Sequence, residues 1–254
     1  MNKIDSEVKL DFSDVLIEPK ASSVPLTRKS VDIEIDWLGT TATPVIVSNM
    51  LSTGTYKIAN MLTPLRVFTF LHKEYTAEQH ITELEKMQDR KFIAITSGVQ
   101  SWDKEKTIEV VSKFPDIGII NVDIANVYAN IDGMIKTIKL YREKFPHIKI
   151  SAGNIATGEP IKVLADAGAN FIKVGVGSGA ACRTRSEVGT GIPQLSAIMD
   201  CYEEAVKYSV EIISDGGCVT AGDVCKAIGA GAKLVMVAGM VSKSEECDNI
   251  VEID

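Results

Sequence analysis

The sequence lacks the long apolar runs and the positive charge that characterise several common classes of protein. No apolar run approaches the ~20 residues that span a membrane, and the N-terminus has no apolar core typical of a signal peptide. The formal net charge is −7 and the pI is about 5.1, which argues against nucleic acid or an anionic membrane as the main partner. A phosphorylated small molecule is compatible with this charge, because backbone N–H groups can bind it.

Cysteine and histidine are also scarce, and neither has the spacing of a known kind of site. The five cysteines are odd in number and form no CxxC pair, which favours free thiols in a reducing, cytoplasmic compartment. The three histidines have no metal-binding spacing, and no G-x-G-x-x-G fingerprint of a dinucleotide site occurs. The sequence therefore predicts neither a disulfide framework, nor a zinc-type site, nor a Rossmann type of cofactor site.

Short apolar strands alternate with helical segments from residue 44 onwards. Runs that are apolar throughout are typical of parallel strands buried on both faces. The eight predicted strands cover residues 45–47, 67–70, 92–96, 117–122, 148–152, 171–174, 211–214 and 234–237. Repeats of about 25–30 residues in a chain of 254 residues predict one α/β domain with the architecture of a TIM (β/α)8 barrel. A doubly wound open sheet is the alternative.

Seven helices are predicted between these strands, from their spacing and from their start and stop signals. They cover residues 56–62, 77–88, 104–113, 131–144, 159–167, 194–207 and 221–228. Thr76 and Gln79 have the spacing of a capping box at the start of the second helix.

The two ends of the chain fall outside this repeat. The segment of about residues 1–43 precedes it, and two pieces of that segment, 11–17 and 32–36, together suggest a hairpin that covers one end of the barrel. Residues 238–254 are acidic and contain no amphipathic stretch. We therefore expect the barrel to lack its eighth helix unless another chain covers that face.

Polar and glycine residues follow the predicted strands at the ends where barrel enzymes carry their reactive groups. These residues are Ser48, Asn49, Met50, His72, Lys73, Ser97, Asp123, Asn126, Asn154, Cys182, Asp215, Gly216, Gly217, Ala238, Gly239 and Met240. The turns at 215–217 and 238–240 are candidates for phosphate binding, since glycine lets backbone N–H groups approach oxygen atoms; ordinary turn glycines are the alternative. Lys73 is either a contact for a cofactor or anion, or a solvated lysine. His72 is either a general base or a packed side chain.

The most reactive candidate is Cys182, which lies on a glycine-rich loop after the predicted sixth strand. Arg183 and Arg185 flank it, and nearby positive charge lowers the pKa of a thiol. We therefore predict a nucleophile at Cys182. The alternative is a small buried hydrophobe, which is a common role for an isolated cysteine. Cys218 directly follows the glycine turn after the seventh strand, and we expect it to pack there.

Nine motifs spread along the chain carry a family resemblance. They are Asp11-Phe12-x-Asp14, Asn49-Met50, His72-Lys73-x-Tyr75, Asp123-x-Ala125-Asn126, Ala152-Gly153-Asn154, Gly175-x-Gly177-x-Gly179, Cys182-x-Thr184-Arg185, Gly191-x-Pro193-Gln194 and Ser214-Asp215-Gly216-Gly217. With these motifs the chain resembles the IMP dehydrogenase/GMP reductase family. The resemblance is closer to the GMP reductase branch, because no insert interrupts the barrel after the second strand and because of the His-Lys-x-Tyr motif.

The resemblance implies NADPH-dependent reductive deamination of GMP to IMP and ammonia, through a covalent adduct between a cysteine and purine C2. The catalytic residues that it implies are Cys182, Thr184 and Lys73. The substrate contacts that it implies are Ser48, Met50, Gly179, Asp215, Gly216, Gly217, Ala238, Gly239 and Met240. The cofactor contacts that it implies are Lys73, Ser97, Asp123 and Asn126. The resemblance also implies a potassium ion on the carbonyls of Gly177, Gly179 and Cys182, and a homo-oligomer, typically a tetramer.

The sequence departs from the family at several of these places. The family carries a mobile flap with an acidic residue beyond the eighth strand, and we expect this chain to lack it. Leu51, Val127, Ala180 and Ala238 stand where the family has Asp, Gly, Ser and Gly. Two alternatives therefore stay open. The chain is a nucleotide-binding homologue or partner subunit without turnover, to which a complementary chain adds the flap and helix, or it is an enzyme that acts on a modified purine.

Overall fold

Eight parallel strands form a closed barrel, and a short antiparallel hairpin precedes them. The computed structural model describes residues 6–21, 23–24, 27–179 and 182–247. The strands are β1 (Ile35–Trp37), β2 (Thr40–Ala42), β3 (Val45–Val47), β4 (Phe68–Phe70), β5 (Ile93–Ser97), β6 (Ile119–Asp123), β7 (Lys149–Ile155), β8 (Phe171–Val174), β9 (Glu211–Asp215) and β10 (Leu234–Val237). Strands β3 to β10 are barrel neighbours in chain order, and β10 pairs with β3 to close the circle. The predicted TIM barrel is confirmed, and the open sheet is wrong.

Burial on both faces explains why these strands are apolar throughout. Every residue of β4, β5, β8 and β10 is buried. Inward-facing side chains such as Ile46, Phe70 and Met236 belong to one apolar cluster. Outward-facing side chains such as Ile95 and Ile172 belong to a second cluster, which they share with the surrounding helices. Parallel sheets occur almost only with both faces covered in this way.

Within the described ranges, seven α-helices surround the barrel. They are α1 (Tyr56–Leu62), α2 (Ala77–Lys86), α3 (Ser101–Lys113), α4 (Ile131–Lys144), α5 (Ile161–Ala167), α6 (Gln194–Ala205) and α7 (Ala221–Gly229). The predicted capping box at the start of α2 is confirmed, since Thr76 Oγ1 accepts from the Gln79 backbone N–H at 3.2 Å and Gln79 Oε1 accepts from the Thr76 N–H at 2.8 Å. Sequence patterns therefore located every one of these helices.

The ends of several elements differ from the prediction, each for a local reason. Helix α2 ends two residues early, because Met87 is extended (φ −75°, ψ 131°). Helix α5 begins at Ile161, after Pro160, and not at 159. Helix α6 gives way at Ala205 to a 3₁₀ turn over Val206–Tyr208. Strand β7 continues to Ile155, three residues beyond the predicted end, with a register shift after Gly153.

The hairpin of β1 and β2 covers the N-terminal end of the barrel. The Trp37 ring lies against Phe68 and Phe171, with ring centroids 4.6 and 4.9 Å apart. Both phenylalanines begin barrel strands, and Trp37 Nε1 donates to Glu211 Oε2 at 3.1 Å, at the start of β9. The indole therefore closes this end by apolar contact and satisfies its one polar group.

The other predicted piece of the N-terminal segment lies at the opposite end. Residues Phe12–Asp14 form a 3₁₀ turn, and the side chain of Phe12 is buried beside Gly217, which follows β9. No strand follows this turn in the described residues before Ile35. The prediction that the two pieces form one hairpin at one end is therefore wrong, and each end of the barrel receives its own piece of the segment.

The chain after β10 forms turns as far as it is described. No helix follows β10 within residues 238–247, and the acidic residues after 247 lie outside the described part of the chain. None of the helices in the described ranges combines the length and apolar character required to cross a bilayer.

Candidate active site

A cavity of about 750 Å³ opens at the C-terminal ends of the barrel strands. This size lies within the usual range for a site that binds a small molecule. Eleven of the sixteen site residues that the resemblance implies line it, and they are Ser48, Met50, Lys73, Asp123, Gly179, Cys182, Thr184, Asp215, Gly216, Ala238 and Gly239. The parallel strands explain this convergence, because their carboxyl ends all reach the same rim.

Cys182 lies on the exposed loop between β8 and α6, on the wall of this cavity. Its Sγ lies 3.2 Å from Thr184 Oγ1, and its backbone N–H donates to the Gly179 carbonyl at 2.9 Å. The pKa of the Cys182 thiol is lowered, chiefly by the hydrogen bonds from Thr184 and to a smaller extent by the charge of Arg185. Thr184, which sequence reasoning did not connect with the thiol's acidity, therefore matters more than the flanking arginines.

Other cysteines have the opposite environment. Burial raises the pKa of Cys218 to about 12, and burial also raises that of Cys201. Cys218 packs against the main apolar cluster, where the sequence led us to expect it. A thiolate is therefore favoured at Cys182 and disfavoured at these two positions.

Two aspartates at the floor of the cavity hold between them a buried lysine, which does not itself line the cavity. Lys173 on β8 is fully buried, and its Nζ contacts Asp123 Oδ2 and lies 3.4 Å from Asp215 Oδ2. Asn154 Nδ2 also donates to Asp215 Oδ2, at 2.8 Å. Burial by itself would lower the pKa of Lys173, but the two aspartates together outweigh it and raise that pKa. The floor is therefore a fixed cluster of charges.

A glycine on the strand between them lets Lys173 reach Asp123. Gly153 on β7 is in register with Asp123 on one side and Lys173 on the other. A Cβ atom on Gly153 would lie 2.5 Å from Lys173 Cβ, closer than real side chains approach. Sequence reasoning assigned no role to Lys173, although a lysine within an apolar strand was the available signal.

The glycine turn after β9 meets the cysteine loop at the rim. Gly216 has φ +93°, and a Cβ atom there would lie 2.7 Å from Ser178 Oγ and 2.9 Å from the Gly179 backbone nitrogen. Ser178 Oγ donates to the Asp215 carbonyl at 3.0 Å, which ties the two turns together. Positive φ and close backbone approach both require glycine at this position. Backbone N–H groups of two turns thus come together, as a phosphate cradle needs.

Five of the predicted residues do not line the cavity. Gly217 faces Phe12 and Gln194, and Gly177 faces the Arg185 side chain. Ser97 is buried, and its hydroxyl group lies 2.5 Å from Tyr141 Oη. The two others are Asn126 and Met240.

Asn126 has a local structural role. Its Oδ1 accepts from the Tyr128 N–H at 3.0 Å and so caps the 3₁₀ turn over Val127–Ala129. The expected contacts of Asn126 and Ser97 with a cofactor therefore have no support from the cavity geometry.

The loop after β4 forms another wall. Lys73 and His72 line the cavity, and Lys106 on α3 donates to the Lys73 carbonyl. The His72 ring stacks on Tyr75, with centroids 3.9 Å apart. Burial lowers the pKa of His72, so the neutral imidazole predominates near neutral pH. The His72 ring is thus packed against Tyr75 and also lines the cavity, and its role as a general base stays a prediction.

No group of three or more His, Cys, Asp or Glu side chains in the described residues is arranged to hold a metal ion. The predicted potassium site uses backbone carbonyls instead. Of these, the Gly179 carbonyl already accepts the Cys182 N–H, and a carbonyl oxygen has a second lone pair. The ion remains a prediction.

Comparisons with known proteins agree on one family. The family model described as the IMP dehydrogenase / GMP reductase domain matches residues 9–253. GMP reductase 1 of Homo sapiens is 40% identical over an alignment of 254 positions, which covers 97% of this chain and 73% of that protein. GMP reductase of Klebsiella pneumoniae is 37% identical, over 96% of this chain and 72% of that protein. The crystal structure of inosine 5′ monophosphate dehydrogenase from Legionella pneumophila matches 94% of this chain and 72% of its own, with a TM-score of 0.84 and 31% identity.

Proposed function

Because the chain belongs to the IMP dehydrogenase / GMP reductase family, we propose that it catalyses the NADPH-dependent reductive deamination of GMP to IMP and ammonia. The single observation that carries this proposal is the Cys182–Thr184 pair. A thiol with a lowered pKa lies on the wall of a cavity large enough for a nucleotide, 3.2 Å from a hydroxyl group. The substrate in this proposal is taken from relatives of similar sequence, which are named GMP reductase.

The residues divide the reaction into two steps. The Cys182 thiolate attacks purine C2, forms a C–S bond, and the C2 amino group departs as ammonia after it gains a proton. The Thr184 hydroxyl group, adjacent to the sulfur, is suitably placed to pass that proton. A nicotinamide cofactor held beside Asp123 and Lys73 would supply the hydride that C2 needs. Loss of the C–S bond to Cys182 would then release IMP and restore the thiolate. GMP, NADPH and two protons thus give IMP, NADP⁺ and ammonium.

The rest of the cavity provides groups that suit both ligands. The turns at Gly216 and Gly239 offer backbone N–H groups to a nucleotide phosphate. Asp215 lines the same side and suits ribose hydroxyl groups. On the other side, Asp123 and Lys73 suit the ribose and phosphate of a dinucleotide. Cys182 would then lie between the two ligands, where its sulfur can attack C2 of the nucleotide.

The test follows cofactor absorbance after GMP is added to the purified protein with NADPH, in potassium buffer. We expect oxidation of NADPH in proportion to the IMP formed, and parallel reactions with NADH give the cofactor preference. Cys182→Ala should abolish turnover, whereas Cys225→Ala, which removes another exposed cysteine, should leave it unchanged. Absence of IMP with the wild-type protein, or equal rates for Cys182→Ala, would contradict the proposal.

A second candidate function rests on Leu51 and Ala238. Both line the cavity, and both stand where the family has other residues, so the nucleotide meets a more apolar wall. This observation favours either nucleotide binding without turnover or a modified purine substrate. Calorimetric binding of GMP without NADPH oxidation would support the first of these. Turnover of a purine altered at the ring, with none of GMP, would support the second.

A further inference from the structure

We propose that Asp11 is a positioning residue that fixes the Cys182 loop from outside the cavity. Asp11 does not line the cavity, and no step proposed above uses it. It precedes the 3₁₀ turn of the N-terminal segment, 171 positions before Cys182 in the sequence (182 − 11). The effect on turnover rests on the proposed function, whereas the effect on the thiol does not.

The side chain of Asp11 binds both the cysteine loop and the helix that follows it. Asp11 Oδ2 accepts from Arg185 Nη1 at 3.2 Å, and Asp11 Oδ1 accepts from the Gln194 backbone N–H at 2.5 Å. Arg185 immediately follows Thr184, within the π-helical turn over Thr184–Val188. One carboxylate therefore holds the residue next to the catalytic hydroxyl group and the first residue of α6.

Arg185 in turn braces the two limbs of the loop against each other. Its Nη2 donates to the Ile192 carbonyl at 2.7 Å. Gly177 and Gly191 both have positive φ and both approach this side chain, so that added Cβ atoms would lie 2.6 and 3.1 Å from Arg185 Cγ. The loop thus wraps around Arg185, and Asp11 fixes the outer end of that arginine.

Asp11 is itself held by the body of the protein. Phe12 is buried in the main apolar cluster, and Lys226 on α7 donates to the Phe12 carbonyl at 2.7 Å. Leu10 exchanges two hydrogen bonds with Ser196 on α6, at 2.8 and 3.1 Å. The segment is therefore a rigid support, and the aspartate transmits that rigidity to the loop.

The sign of the effect separates positioning from simple electrostatics. A negative charge near a thiol disfavours the thiolate, so if Asp11 acted only through its charge, Asp11→Asn would make Cys182 more reactive. If Asp11 positions the loop, the same substitution puts an amide donor against either the Arg185 donors or the Gln194 N–H, and it loosens the Cys182–Thr184 contact. Cys182 would then become less reactive. The charged residues that share the cavity with Cys182 are Lys73, Glu74, Asp123 and Asp215, and the substitution leaves all of them in place.

The experiment measures alkylation of Cys182 by iodoacetamide across a pH series, with peptide mass spectrometry to identify the modified residue. We expect Asp11→Asn to slow alkylation of Cys182 by about threefold to tenfold at neutral pH and to move its pH profile upwards. Cys225, which is exposed on α7, serves as the internal reference and should react at the wild-type rate. Asp32→Asn is the matched control, because Asp32 lies in the same N-terminal segment and its Oδ1 accepts from the Glu34 backbone N–H at 2.9 Å.

Two further variants keep the proposal testable. Arg185→Lys retains the charge but cannot reach both Asp11 and Ile192, so it should reproduce the effect, and the double variant should be no worse than either single one. If the proposed function holds, Asp11→Asn should lower kcat for GMP with little change in its KM. Faster alkylation, wild-type alkylation in Asp11→Asn, or additive effects in the double variant would overturn the positioning role, whether or not the protein reduces GMP.

Discussion

Two groups of paired charges support the cavity from different sides, and their surroundings differ. On the floor, the Lys173 side chain is 1% exposed and lies between Asp123 and Asp215. Beside the cysteine loop, the Arg185 side chain is 39% exposed and pairs with Asp11. Removing one partner of a buried pair leaves an uncompensated charge, whereas exposed pairs are screened by water. The floor therefore contributes to the stability of the fold, and the loop pair mainly sets geometry.

The largest expected effect comes from Lys173→Met. It should lower the free energy of unfolding by about 3–5 kcal/mol, because two largely buried carboxylates, 18% and 20% exposed, lose their cation. Urea unfolding measures the change. Lys162→Met removes an exposed lysine that pairs with Asp166 on α5, and it should unfold at the wild-type urea concentration. Equal stability of the Lys173 variant and the wild type would remove the contrast between floor and loop.

The difference in stability between the wild type and Lys173→Met should depend on pH in a definite direction. The pKa of Lys173 is raised in the folded protein, so its contribution is fully present below the ordinary lysine pKa and is lost as pH rises through the raised value. The stability difference between wild type and Lys173→Met should therefore persist at neutral and mildly alkaline pH and shrink in strongly alkaline solution. Urea titrations along a pH series check this, and a gap that closes near neutrality would contradict it.

A smaller effect is expected from Gly153→Ala. The added Cβ atom would lie 2.5 Å from Lys173 Cβ and 2.7 Å from the Lys173 carbonyl oxygen. Overpacking of this kind costs about 1–3 kcal/mol, and here it should also displace Lys173 from Asp123. Gly118→Ala is the control, since a Cβ atom there has open space around it. If both variants have the same free energy of unfolding, Lys173 does not need a glycine at position 153 to reach Asp123.

Asp11→Asn should change stability much less than Lys173→Met. We expect a loss of about 1 kcal/mol or less in the free energy of unfolding, because the Arg185–Asp11 pair is partly exposed. The same protein should show the slower thiol alkylation described above. A loss as large as that of Lys173→Met would mean that the loop pair is part of the core and that the two regions do not differ.

Thr184→Val should leave the free energy of unfolding nearly unchanged and alter only the reactivity of Cys182. Without the hydroxyl group, the pKa of Cys182 should rise towards its ordinary value, and alkylation at neutral pH should slow severalfold. Thr184→Ser retains the hydroxyl group and should behave like the wild type. An unchanged pH profile for the valine variant would assign the lowered pKa to Arg185 and to the backbone.

Local patterns were sufficient to predict the barrel and the position of Cys182. Apolar runs identified all eight barrel strands, and the Thr76 capping box marked the start of a helix, because both depend on neighbouring residues in the chain. The direction of a side chain at a strand end was harder to predict. Ser97 ends β5 but bonds to Tyr141 on α4, so it lies outside the cavity to which its position in the sequence assigned it.

Contacts between distant segments could not be predicted from the sequence. Asp11 and Arg185 are 174 residues apart, and Lys173 and Asp123 are 50 apart. Neither pair leaves a periodic pattern, because each depends on how the strands and loops converge in three dimensions. The residues of the Asp11 motif were recognisable in the sequence, but their physical role becomes evident only when the cysteine loop lies beside them.

The indole that closes the N-terminal end of the barrel also gives the protein an optical reporter. The chain has two tryptophans, Trp37 at 3% exposure and Trp102 on α3 at 67%. The blue-shifted part of the emission therefore comes from Trp37, at the end of the barrel away from Cys182. Unfolding shifts the Trp37 emission maximum to longer wavelength, whereas a substitution in the cavity leaves that maximum unchanged as long as the barrel is intact. One fluorescence spectrum can thus distinguish a variant that has lost its chemistry from a variant that has lost its fold.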